Sequence, residues 1–253
     1  MFNFQKTEKF LFGFLLFTLF WLPLSLGANR PWAWALMQMS FFFIGGVLLL
    51  INNSLLSKLY AQYKVLVIVW MAFLAWQLVN IIPLPFSLVE ALRPERVHFM
   101  MNENIQYVED IRSQWLSLSF DVGQSNVTFF KSLAYCFLFF IALTLINTGK
   151  RLRYTLIVIS AAGVFQAIYG ALEVLSGLKY SLIFKLPVSH IATGSFVYKN
   201  HYANFLLLCL SAAIGYMIAS LRVRSGSSPR ERLRRIVRFW LSNKVLFRIG
   251  III

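Results

Sequence analysis

The amino-acid sequence predicts an all-α protein that crosses a membrane about six times as a polytopic bundle of helices. Two observations carry this reading. Of the 253 residues, 59% are hydrophobic and only 13% are charged, whereas a soluble domain carries about 25% charged residues. The apolar residues are also gathered into runs of the length, about 20 residues, that a helix needs to cross a bilayer. The same composition excludes other classes. Disorder requires low hydrophobicity. The 24 basic residues, which give a formal net charge of +15, punctuate the apolar runs and form no continuous basic face, so nucleic acid is not an expected partner. Cys136 and Cys209 each sit inside an apolar run as small packing residues. A disulfide framework and a cysteine zinc site are both excluded by their number.

The spans follow in order as residues 10–27, 32–51, 65–82, 129–146, 156–175 and 202–221. Lys6 and Lys9 precede the first, as in a secretory signal, but it runs through Trp21, Leu22 and Pro23 without a small-residue cleavage site, so it reads as a retained anchor. Lys and Arg set the orientation. Lys58, Lys64, Lys150, Arg151, Arg153 and the nine basic residues from Arg222 to Arg248 all fall on the side of the N-terminus, which places that end in the cytoplasm. Three outer segments result: a tight turn at 28–31, a loop over 83–127 that holds Glu90, Glu95, Glu103, Glu109, Asp110 and Asp121, and a loop over 176–201.

Residues 222–253 read differently. Ser228, Pro229 and Glu231 resemble a helix start, and Leu233, Ile236, Val237, Trp240 and Leu241 recur at helical spacing, with Arg232, Arg234, Arg235 and Arg238 on the other face. Such a helix is expected to lie in the inner leaflet against anionic membrane lipids. Ile251, Ile252 and Ile253 read as the opening of a possible seventh span, and the expectation is that the sequence is an N-terminal portion of a longer protein.

No Walker loop, zincin helix, nucleophile elbow or paired-acid motif is present. The spacing of His190 and His201 matches no standard metal site, and no metal or cofactor is expected. The last outer loop is more informative. It carries Lys179, Lys185, His190, Lys199 and His201 and no acid. Cations on a translocated face run against the usual bias; an anionic ligand explains them, and so, for lysines near span ends, does reaching for the headgroups. Gly194 and Ser195 allow close backbone approach, and Lys199, Asn200, His201 and Asn204 place donors on the first turns of a helix whose N-terminus is electropositive. Phosphate or diphosphate is the expected guest, with Arg30 in the first outer turn as a further candidate. Glu173, near the end of span five, is either functional or close enough to the interface to reach it. Asn80 and Gln166 read as helix-to-helix hydrogen bonds.

The run ATGSFVYKNHYANF, Ala192 to Phe205, resembles the signature of the O-antigen ligase and polymerase superfamily of bacterial inner-membrane proteins: Thr193, Gly194, Ser195, Phe196, Asn200, His201, Tyr202 and Ala203 match. Tyr198 stands where Asn is common and Lys199 where Arg is common, which keeps the charge but loses bidentate geometry. Further segments agree in order: LPLSLGANRPWAW (22–34), NIIPLPFSLVEAL (80–92), LSLSFDVGQSNVTFFKSLAY (116–135) and FQAIYGALEVLSG (165–177).

The resemblance implies a helical fold of the GT-C type. It also implies transfer of a glycan from an undecaprenyl-diphosphate carrier at the periplasmic face of the inner membrane, without metal or nucleotide sugar. The family's catalytic arginine and histidine lie mainly further along the chain, so no catalytic residue is assigned here and this portion alone is expected to be inactive. The alternative is a scaffold or transporter-like partner of a cell-envelope polysaccharide system. A lone acid near a span edge and the lack of repeated halves speak against a transporter.

Overall fold

The computed structural model describes residues 4–103, 115–177, 179–181, 183–185, 187 and 191–220. The basic helix expected after Ser228, the start of a seventh span and His190 lie outside these residues. Among the described residues the protein is a polytopic helical membrane bundle in which six helices are long and apolar enough to cross a bilayer. Helix α1 spans Phe4–Leu24, and a short 3-10 turn at Leu26–Ala28 leads into α2, Pro31–Ile51. Helix α3 covers Leu55–Ile81. The connection that follows contains strand β1 (Leu84–Pro85), helices α4 (Phe86–Leu92) and α5 (Pro94–Glu103), and strand β2 (Trp115–Leu116). Helices α6 (Val122–Leu145), α7 (Gly149–Leu175) and α8 (Lys199–Ser220) complete the order.

Three helices begin well before their apolar runs. The runs open at residues 65, 129 and 156, whereas the helices open at Leu55, Val122 and Gly149. An apolar window marks only the part able to lie in hydrocarbon, while caps set where a helix begins. Asp121 Oδ1 accepts the Gln124 amide at 2.8 Å at the start of α6, and Thr148 Oγ1 accepts the Arg151 amide at 3.3 Å at the start of α7. In α3 a break at Tyr63 (φ −127°, ψ 35°) lies between Lys58 in the first turns and Lys64, after which the helix is mainly apolar. Lys58, Lys150, Arg151 and Arg153 therefore lie on helices, where the long stems of Lys58, Lys150 and Arg153 let their charges reach the headgroups.

The chain divides into two compact units, residues 1–40 with 143–253, and residues 41–142. In the first, α7 packs against both α1 and α8. Gly163 on α7 meets Cys209 so closely that a side chain would not fit between the helices. At the start of α7, Arg151 pairs with Glu8 of α1 at 2.5 Å, donates to the Leu145 carbonyl at 2.9 Å and lies over the Phe12 ring. Both partners are largely buried, so Arg151→Met is expected to cost about 1.5 kcal/mol, as for a hydrogen bond to a charged group. Unfolding of the purified protein in mixed micelles checks this, and Glu8→Gln should lose a similar amount.

In the second unit, β1 and β2 pair antiparallel, with Leu84 opposite Leu116 and Pro85 opposite Trp115. Val89, Val97, Leu116 and Leu118 form a small core beneath them, joined by Phe86 and Met100. One expectation is corrected here: the Asn80 side chain bonds the Trp76 carbonyl of its own helix at 2.7 Å. The hydrogen bond between α3 and α6 comes instead from Gln77, one turn earlier, to Ser132 Oγ at 3.0 Å. Asn80 is half-buried and sits where the chain leaves α3. Its carbonyl accepts the Ser119 amide at 3.0 Å, so it ties the connection back to the helix through backbone alone.

Candidate functional site

The first unit holds a buried polar junction at one end of its helices, built from three distant segments. Pro23 lies in the last turn of α1. Beyond it the chain makes a left-handed turn in which Leu26, Gly27 and Ala28 have φ of 58°, 61° and 55°. Two of these are not glycine, and such residues cost roughly 1–2 kcal/mol each in this conformation. The turn is held by its own hydrogen bonds, Ala28 N to Ser25 O at 3.0 Å and Asn29 N to Leu26 O at 3.2 Å, and by the Phe196 ring packed on Gly27.

Gln166 of α7, fully buried, is the centre of the junction. Its amide nitrogen donates to the Pro23 carbonyl at 3.1 Å and to Ser195 Oγ at 2.6 Å, while its Oε1 accepts the Ser195 amide at 3.0 Å. Ser195 Oγ in turn donates to the Pro23 carbonyl at 2.6 Å. From α8, the Tyr202 hydroxyl donates to the Gln166 carbonyl at 3.2 Å. The Thr193–Phe196 turn closes through Phe196 N to Thr193 O at 3.0 Å, and Gly194 within it has φ 55°. The expectation that Gln166 bonds between helices is met, through its link to α1.

One turn further along α7, Tyr169 holds the following loop. Its hydroxyl accepts the Ile183 amide at 3.2 Å and lies 3.2 Å from Ser181 Oγ. Lys185, at the end of this turn, adopts φ 53°, a left-handed conformation uncommon for a side chain of its size. Glu173 does not reach the interface: it is only 2% exposed, and its Oε1 has no hydrogen-bond partner.

The sequence-predicted residues divide into two groups. Gly194 and Ser195 are buried, and the polar groups of Ser195 are engaged with Gln166 and Pro23. Lys199, Asn200, His201 and Asn204 are exposed on the first turns of α8, directly after the buried turn, and the His201 ring meets Tyr198 edge-on at 5.8 Å. Arg30 and Lys185 are exposed on separate segments. The Arg30 carbonyl accepts the Ala33 and Trp34 amides at 2.9 and 3.1 Å, which starts α2. Sequence reasoning did not find Pro23 or Tyr202 as partners of this junction. The available signal was a glutamine inside a span together with a Thr-Gly-Ser-Phe turn before another span.

Six helices long and apolar enough to cross a bilayer define a multi-pass membrane protein, and its first unit holds this junction of buried polar groups. Among the described residues no three or more His, Cys, Asp or Glu side chains are grouped so as to hold a metal ion. Comparison with protein-family models, curated proteins and solved structures finds no match.

Proposed function

We propose that the chain is an O-antigen ligase-like or polymerase-like membrane protein, or part of one. In this reading it binds an undecaprenyl-diphosphate-linked glycan at the periplasmic face of a bacterial inner membrane, with its N-terminus in the cytoplasm. The observation that carries the reading is the meeting of 22–29, 165–173 and 192–205 around Gln166 and Ser195. They lie within three of the segments on which the resemblance rests, 22–34, 165–177 and 192–205, and Pro23 is 143 residues from Gln166 in the chain.

The junction gives the binding residues a fixed base. It orients the start of α8, where free amides and the helix dipole add to the charge of Lys199 and to the donors of Asn200, His201 and Asn204. A diphosphate leaving group gathers negative charge as its bond to the sugar breaks, and pre-placed donors stabilise that charge. Gly194 and Ser195 support the binding surface from beneath, while the exposed residues contact the ligand. Lys185 and Arg30 are further cations for the same anion.

Lys199→Ala is expected to weaken binding of undecaprenyl diphosphate to the lipid-reconstituted protein about tenfold, the effect of losing one charged hydrogen bond. Unchanged affinity would return Lys199 to the role of a lysine reaching for headgroups and favour a non-catalytic scaffold in the cell envelope.

A further inference from the structure

The second unit contains a cationic cluster that the proposed function does not use. Arg93, between α4 and α5, and Arg96, in the first turn of α5, both hold their guanidinium carbons 5.4 Å from the centre of the Phe120 ring. Arg93 Nη1 donates to the Leu118 carbonyl at 2.8 Å, which fixes its direction. Arg96 is only 7% exposed, and its Nε is buried without a hydrogen-bond partner. Among the described residues no carboxylate lies within ion-pair reach of either guanidinium; the ion pair present there is Arg151 with Glu8.

One aromatic ring attracts a cation through its face but cannot neutralise two. A buried guanidinium with an unmet donor is costly unless an anion completes it. Phe120 itself is 48% exposed and Phe99 packs edge-on against it at 5.6 Å, so the ring beside the two arginines lies at the surface of the unit. Two forked donors held within 5.4 Å of one ring centre suit a tetrahedral oxyanion, which offers several oxygens, better than a planar carboxylate.

We propose that Arg93, Arg96 and Phe120 form a phosphate-binding site in the connection between α3 and α6. Because this connection joins two spans, the phosphate comes either from a lipid headgroup or from solution. The test uses the full chain in a phosphate-free neutral detergent, titrated with inorganic phosphate against chloride at matched ionic strength, with thermal unfolding as the readout.

A saturable rise in Tm is expected for the wild type, with the apparent affinity about tenfold weaker in Arg93→Gln and in Arg96→Gln. Lys58→Gln, an exposed cation outside both this cluster and the start of α8, should respond like the wild type. Because Arg96 is buried and its variant can misfold, Arg93→Gln and Phe120→Leu carry the test independently. In nanodiscs of phosphatidylglycerol, loss of the response to added phosphate, together with a stability advantage of wild type over Arg93→Gln, identifies the lipid headgroup as occupant. A persisting response identifies free phosphate. No phosphate-dependent shift in wild type, or the same shift in both arginine variants, overturns the site.

Discussion

Gln166→Leu is expected to destabilise the protein by about 3 kcal/mol, the largest loss from any single polar side chain in the first unit. Leucine fills a similar volume, so the loss comes from hydrogen bonding. The Pro23 carbonyl keeps only Ser195 Oγ as a partner, and the Ser195 amide keeps none. Each buried group left unsatisfied costs about 1–3 kcal/mol. Gln166→Glu keeps the acceptor for the Ser195 amide but replaces the donor with an oxygen facing Pro23 O and Ser195 Oγ, so it should be no better tolerated unless the carboxyl is protonated. Unfolding of the purified variants in mixed micelles measures both. A change below about 0.5 kcal/mol for Gln166→Leu, the range of an ordinary surface substitution, would mean that the junction does not hold the three segments together.

Gly194→Ala is expected to cost about 2–4 kcal/mol, from two causes that can be separated. Its φ of 55° strains any residue with a Cβ. A Cβ there would also stand 2.6 Å from Gln166 Oε1 and 2.8 Å from Tyr202 Cε2, so the junction itself must shift. Gly177, after α7, has φ 65° but nothing within 4 Å of its added Cβ. Gly177→Ala therefore carries the backbone strain alone, about 1 kcal/mol. The difference between the two variants reports the packing around Gln166, and equal losses would show that the turn is not packed against α7 and α8.

The six crossings are legible in the sequence because lipid imposes a length and a composition that no soluble helix must meet. The helix starts are less legible. Residues such as Ser57 and Lys58, or Lys150 to Arg153, are polar and lie outside the apolar window, yet nothing in them breaks a helix. The short helices and strands between α3 and α6 are too small to leave a periodicity.

In the candidate site, the Thr193–Phe196 turn and the cationic start of α8 can be read locally, since glycine, serine and a following span are neighbours in sequence. The Gln166 junction cannot be read in this way. Its partners lie 143 and 29 residues away, and a lone glutamine in a span has many ways to satisfy its amide. The burial of Glu173 was hidden for the same reason. Its distance from the span end left room for it to reach the interface, and only the packing of α7 against its neighbours decides that it does not.

Affinity for undecaprenyl diphosphate against undecaprenol, measured on the lipid-reconstituted chain at two salt concentrations, bears most directly on the proposed function. If the start of α8 grips the diphosphate, the charged lipid binds at least about tenfold tighter than the alcohol, and the advantage shrinks with salt and with Lys199→Ala. Equal affinity for the two lipids, or a preference that Lys199→Ala leaves intact, would contradict a lipid-diphosphate site there.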